Sequence, residues 1–247
     1  MFHQVHELSH EHLLRYKSDI PLLLTLTVPN VKGDKLIACL SLMQKAWDKL
    51  MKRKTVKRVC RSWFRGLEVT YNSERDDYHP HYHVLIFVSG HYFERKRNLF
   101  IHRDDWLTMW QESTGLPEIT QVDIRKVRKR SKGSAIESVA AEVAKYSTKP
   151  TDYVAKNKDG EYEANAAVVE VLHKALRRRR LVAFGGEFAK IRKDKKMQDV
   201  ETANMVHVEG KPATCHCRIC QSDLLHELYS WNLGVHQYVK SVISDKT

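Results

Sequence analysis

The chain has 247 residues, 42% of them hydrophobic, which is enough for one large domain with an ordinary core and excludes a disordered chain. Lys and Arg number 42 against 30 Asp and Glu, and the formal charge of +12 calls for a polyanionic partner, nucleic acid first. The longest apolar stretch, Ile20 to Val28, is far short of the roughly 20 residues of a membrane span, and the polar, His-rich start from Met1 to His12 has no apolar signal core, so a soluble intracellular protein with no membrane association is expected. Five unevenly placed cysteines do not make a secreted disulfide framework and suit a reducing compartment.

Along the chain, Leu22 to Val28 (LLLTLTV) is apolar and β-branched and is stopped by Pro29-Asn30, so it reads as a buried strand. Leu36, Leu40, Met43, Trp47 and Leu50 recur at steps of three and four, the stripe of an amphipathic helix. Arg65 to Asn72 (RGLEVTYN) and Tyr82 to Val88 (YHVLIFV) read as two further strands, joined through a polar loop from Ser73 to Pro80. Arg103 to Gln111 is helical in pattern, and Ile119 to Val127 alternates like a fourth strand with a basic outer face. Ser134 to Thr148 reads as a helix opened by a capping box of Ser134 and Glu137 and closed by Pro150. After a polar loop, Lys156 to Tyr162, the stretch Ala164 to Arg180 reads as a long helix whose basic end suits its dipole, and Gly185-Gly186 as a turn. Beyond Asp194 the sequence becomes irregular and polar. The expected fold is α+β: a central antiparallel sheet from the first half with flanking helices, in a main domain over 1–193, followed by a small segment over 194–247.

The sequence His79-Pro80-His81-Tyr82-His83 leads into a strand. Alternate residues of a strand share a face, so His81 and His83 point the same way, about 6–7 Å apart along the strand, and can converge on one metal. Glu68, on the antiparallel partner strand, is the candidate third ligand. Two imidazoles and one carboxylate with open positions suit Mn²⁺ or Mg²⁺, with Zn²⁺ also able to occupy the site. The plainer alternative is a set of surface histidines in a chain that has 14 of them, with Glu68 paired to an arginine.

In EVAKYSTKPTD, Glu142 and Tyr146 are four apart and Tyr146 and Lys149 three apart, so the three share a helix face. Tyrosine serves as a covalent nucleophile where metal or cations stabilise its charge; Lys149 would supply such a cation and Glu142 could act as a general base. A core aromatic between surface charges would show the same spacing. The basic runs containing Lys52, Arg53 and Lys54, and Arg125, Arg128, Lys129 and Arg130, are candidates for binding DNA phosphates, further runs being Arg177 to Arg180 and Lys190 to Lys196. Near the end, Cys215, Cys217 and Cys220 with His226 (or His207) could complete a tetrahedral structural Zn²⁺ site, although the usual paired C-x₂-C arrangement is missing and unligated thiols are the alternative.

Taken in order, LLLTLTVPN, RGLEVTYN with YHPHYHVLIF, and EVAKYSTKPTDY resemble the three motifs of the HUH endonucleases (histidine, hydrophobic residue, histidine). The chain more narrowly resembles the plasmid rolling-circle replication initiators of the Rep class 1 family, over roughly Leu22 to Lys193. It departs from many of them in having no Cys-rich segment ahead of the first strand. The resemblance implies an RRM/ferredoxin-like sheet, His81 and His83 as metal ligands, Tyr146 as the nicking nucleophile, Lys149 as the motif lysine, and Glu142 as the group for the terminating step. Glu68 as third ligand rests on analogy with related folds. It further implies single-stranded DNA at a plasmid origin hairpin as substrate, a host helicase and DNA polymerase as partners, and a prokaryotic cytoplasmic setting. A relaxase or single-strand transposase would use the same residues. A histidine-triad nucleotide hydrolase leaves the tyrosine helix unexplained, and a non-enzymatic origin- or strand-binding protein would not need Tyr146.

Overall fold

The structure is a computed structural model, and it describes residues 2–127, 154–156, 162–195, 229–232 and 237–240. The helix expected at Ser134 to Thr148, with Glu142, Tyr146 and Lys149, lies outside the described residues, as do Arg128, Lys129, Arg130, Cys215, Cys217, Cys220 and His226. The chain divides into two units, residues 1–198 and 199–247.

In the first unit, helix α1 (Phe2–Arg15) leads to strand β1 (Ile20–Thr27), helix α2 (Gly33–Lys52), the short helix α3 (Lys54–Val59) and the long hairpin of β2 (Cys60–Asn72) and β3 (Asp77–Val88). Two 3₁₀ turns then precede α4 (Arg103–Thr114) and β4 (Val122–Lys126). Strands β5 (Val154–Lys156) and β6 (Tyr162–Ala164) pair with each other, and α5 (Ala166–Leu176), β7 (Val182–Gly186) and α6 (Glu187–Asp194) follow. The main sheet has the order β4-β1-β3-β2-β7, and every pairing in it is antiparallel. Its first four strands, with α2 and α4 as the crossing helices, make the βαββαβ arrangement of a ferredoxin-like sheet, α+β as expected. In the second unit, β8 (Tyr229–Asn232) and β9 (Gln237–Lys240) form an antiparallel hairpin.

The period-two alternation of the central strands sends side chains into two different layers. Leu22, Leu24 and Leu26 of β1 and Tyr82, Val84, Ile86 and Val88 of β3 face the larger core, where the α2 stripe (Leu36, Leu40, Met43, Trp47, Leu50), Trp106 and Trp110 of α4, and Val168 and Leu172 of α5 cover them. Leu23, Phe64, Leu85 and Phe87 face the other way, under Val5 and Leu8 of α1 and Phe188 and Ile191 of α6. The Trp110 indole donates to the Thr27 carbonyl at 2.7 Å, anchoring α4 to the end of β1. Burying a ring of this size stabilises by roughly 2–3 kcal/mol.

Three readings of the sequence are corrected and one helix is added. The polar, His-rich start, for which no element was expected, forms α1, which buries Val5, Leu8 and His12, spaced three and four apart along one face. Pro80 is not in a loop but inside β3, because the β1–β3 ladder ends at Thr27↔His81, so a residue without an N–H breaks no bond there. The helix after Ala164 ends at Leu176, not Arg180: Arg178 has φ 58°, and Arg179 turns back to bond the Ala175 carbonyl at 2.7 Å. Gly185 and Gly186 are not a turn but the end of β7, paired with Trp63 and Ser62, so the sheet draws its fifth strand from the second half of the chain. A Cβ at Gly185 would collide with the Trp63 ring, and one at Gly186 (φ 66°) with the Arg61 carbonyl.

The α1 contact centres on His12, which is fully buried. Its Nε2 is 2.9 Å from Asp19 Oδ2, its Nδ1 is 2.9 Å from Ser62 Oγ, and its ring packs on Phe87 and Phe188. Arg61 completes the group, 3.3 Å from Asp19 Oδ1. Burial lowers the His12 pKa below the ordinary histidine value, outweighing Asp19, which acts the other way. The unfolded chain therefore takes up this proton first as the pH falls: the stability is whole above the unfolded pKa, about 6.5, and is lost as the pH falls through the folded value. The urea midpoint is expected to hold steady above about pH 7 and to drop as the pH falls below about 6.5, with a shallower drop in His12→Gln; equal slopes in the two proteins would remove His12 as the cause.

Candidate metal centre

On the face of the sheet that carries Leu85 and Phe87, β3 continues toward its start with His83 and His81. In the antiparallel register His81 lies between Thr27 of β1 and Glu68 of β2, and His83 between Thr25 and Gly66. The three polar side chains therefore stand on one face at the end of the sheet beyond the apolar patch under α1 and α6. Gly66 presents no side chain opposite His83, so Glu68, one pleat further along β2, serves both imidazoles. His81 Nε2 is 3.1 Å and His83 Nε2 2.9 Å from the same oxygen, Glu68 Oε2. The imidazole rings are 4.7 Å apart and nearly perpendicular. Glu68 is 4% exposed in its side chain, and His81 and His83 are 12% and 14% exposed.

The backbone and a hydroxyl orient the rings from behind. His81 Nδ1 is 3.3 Å from the His79 carbonyl oxygen, which accepts its proton and leaves Nε2 to bind a ligand; Thr25 Oγ1 is 3.5 Å from His83 Nδ1. His79 lies 5.4 Å ring to ring from His81, and burial first, then the neighbouring His81, lowers its pKa, so it stays neutral at neutral pH.

The donor set fits a divalent cation. One ligand atom from each of Glu68, His81 and His83 can be chosen so that all lie within 4.8 Å of one another, the one such group among the described residues. Adjacent ligands of an octahedral ion with bonds of about 2.1 Å are about 3.0 Å apart, and both Nε2–Oε2 separations match that edge. Two neutral nitrogens and one carboxylate leave half of an octahedron open for water or a phosphate oxygen, a set that suits Mn²⁺ or Mg²⁺.

Of the candidate phosphate-binding residues, Arg125 stands on the same face as this group, since its register partner Leu23 points there, and it lies 3.6 Å from Asp123. Lys52, Arg53 and Lys54 sit where α2 meets α3, in the helix layer on the opposite face, and Arg53 is paired with Glu112 at 2.7 Å. The sequence reading missed Thr25; its signal was TLTV facing the HxH strand, visible only once the β1–β3 register is known.

An antiparallel α+β sheet with two histidines and a glutamate converging from its central hairpin is the class of structure defined here. The replication protein family matches residues 3–239, and the chain belongs to that family, the Rep class 1 replication proteins. It is 36% identical to a "Protein rep" of Streptococcus pneumoniae serotype 2 over 75% of this chain and 55% of the relative. It is 44% identical to one of Staphylococcus aureus over 53% and 55%, and 35% identical to one of a Bacillus species over 82% and 69%. The chain thus spans a little over half the length of the first two relatives. No solved structure matches the chain significantly. Among the described residues no helix is long and apolar enough to cross a membrane.

Titration of the protein with Mn²⁺, followed by electron paramagnetic resonance of the free ion, is expected to give one site that weakens at least about tenfold in Glu68→Gln, His81→Ala or His83→Ala. Unchanged affinity in all three variants would exclude this cluster as the metal site.

Proposed function

We propose that the chain is a plasmid rolling-circle replication initiator that nicks one DNA strand through Tyr146 beside a divalent ion, Mn²⁺ or Mg²⁺, held by His81, His83 and Glu68. The observation that carries this reading is the convergence of both Nε2 atoms on one Glu68 oxygen at the end of the central strands. Membership of the replication protein family, relatives named Protein rep and the charge of +12 support it.

A bound ion would supply Lewis-acid polarisation of the scissile phosphodiester and stabilise the charge developing on it. The Tyr146 hydroxyl attacks the phosphorus in line; the new O–P bond forms as the bond to the 3′ oxygen breaks. The products are a 5′-phosphotyrosine and a free 3′-hydroxyl, which primes a host polymerase behind a host helicase. The phosphodiester energy is kept in the covalent link, so a later 3′ end can resolve it without ATP. Lys149 stabilises charge on the phenolate or the phosphate, and Glu142 directs water at the link to end a round. The substrate is single-stranded at the nick, exposed in an origin hairpin. Arg125, on the same face as the ligands, together with Arg128, Lys129 and Arg130, holds the flanking phosphates, a contribution that salt screens strongly.

Incubation with a single-stranded origin oligonucleotide and Mn²⁺ is expected to yield a protein–DNA adduct on a denaturing gel that Tyr146→Phe and EDTA each abolish. Binding of a cognate origin with no adduct would place the protein among non-enzymatic DNA binders. Glu142→Ala is expected to nick at the wild-type rate but to accumulate the adduct; slowed nicking would count against a role confined to termination.

A further inference from the structure

On the opposite face of the sheet from the metal centre, a cleft of about 480 Å³ opens between α2, β2 and the segment joining α5 to β7. Four arginines line it, Arg65, Arg178, Arg179 and Arg180, against one acid, Asp48, so its lining carries a formal charge of +3. Arg65 forms the floor and is 1% exposed. Its guanidinium lies over the Tyr82 ring at 4.4 Å and near Trp47 at 5.4 Å, and its Nη2 donates to Gln44 Oε1 at 2.8 Å. Its Nε and Nη1 meet no hydrogen-bond acceptor among the described residues. A buried cation with unmade hydrogen bonds, and three more cations drawn toward it, is costly unless an anion completes the group.

The rim is built to hold its shape. Arg179 bonds the Ala175 and Ile37 carbonyls and Ser41 Oγ at 2.7–2.9 Å, which ties the segment back to α2. Arg178, beside it, keeps the left-handed φ of 58°, a conformation an arginine adopts only where its surroundings impose it. Arg178 and Arg180 are thereby left exposed at the mouth, with guanidinium forks that match phosphate oxygens. One wall is the Trp63 indole, edge-on to Trp47 at 5.0 Å and seated against Gly185, where any side chain would displace it. Cationic forks and an indole lining one cleft are the combination that holds a phosphate and stacks its base.

We propose that this cleft binds a nucleotide of single-stranded DNA, with Arg178 and Arg180 on the phosphate, Arg65 as the buried counter-charge and Trp63 against the base; the assignment of DNA rests on the function proposed above. A strand is favoured over a free mononucleotide because the exposed Lys52 lies one helical turn beyond Asp48 on α2 and begins the basic run that continues to Arg58. The segment held here is not the one at the nick, since the metal ligands stand on the other face. It is flanking DNA.

The test uses the full chain in EDTA, a fluorescein-labelled oligo-dT of 12 nucleotides and anisotropy at several salt concentrations. Arg178→Ala/Arg180→Ala is expected to weaken binding about tenfold and to flatten the slope of log affinity against log salt by about 0.7 for each phosphate no longer neutralised. Lys35→Ala/Lys174→Ala, which removes two exposed charges from the same helix layer, is expected to cost less than about threefold. Trp63 emission is expected to be quenched by the strand in wild type, and Trp63→Phe to remove that change. Equal losses in the two double variants, or none in the first, overturn the cleft. Free dTMP competing as well as the oligonucleotide overturns the assignment to a strand. Metal-dependent nicking is read in parallel: a wild type that binds the strand through the cleft but never nicks defeats the function proposed above and leaves the cleft standing, whereas normal nicking with unaltered strand affinity in Arg178→Ala/Arg180→Ala defeats the cleft alone.

Discussion

The structure depends on the register of one hairpin. In the β2–β3 ladder Glu68 lies opposite His81 and Gly66 opposite His83, and β1 closes the other side with Thr27 and Thr25. Because the side-chain period of a strand is two, a slip of one residue would turn His81 and His83 into the packed helix layer and Tyr82, Val84 and Ile86 out of it. The hydrophobic cost of that exchange is several side chains at roughly 1.5–3 kcal/mol each, before any charge has been desolvated. The core therefore enforces the geometry of the polar cluster, and the same alternation that builds the fold aims the site.

The two faces of the sheet are consequently unlike. One is apolar along most of its length and sealed by α2, α4 and α5. The other, among the described residues, is apolar where Leu23, Phe64, Leu85 and Phe87 meet α1 and α6, and gives way to His83, Glu68 and His81 beyond that patch. The helices on that patch are held firmly: the His12, Asp19 and Ser62 group is buried where α1 meets the sheet, and at Gly186 the close approach of the Arg61 carbonyl leaves no room for a side chain as β7 turns into α6.

Charge is distributed on the same plan. Arg125 stands with the metal ligands, while Lys52 and Lys54 and the arginines around Arg65 belong to the helix side. A polyanion engaged by all of these would contact both faces of the sheet, which a single strand crossing the metal centre does not do. Basic side chains are thus divided between the two faces of the sheet.

Much of this was legible in the sequence. Period two in YHVLIFV and RGLEVTYN, steps of three and four in the α2 stripe, and the HxH spacing depend on neighbours a few residues apart, and local geometry alone dictates which of them share a face. Hence the strands, the helix and the shared face of His81 and His83 could be read from the order of residues, whereas Glu68 entered only through the expected pairing of the two strands and analogy with related folds, and its place opposite His81 comes from the β2–β3 register. What required the tertiary structure were relations between residues far apart in the chain: β7 adding to β2 through two glycines that resemble a turn, His12 burying its imidazole against Ser62 fifty positions away, Pro80 tolerated because β1 ends beside it, and Arg65 meeting Arg178, Arg179 and Arg180 across a cleft. None of these has a local periodicity, because a side chain's partner across a sheet or under a helix is set by how the layers pack.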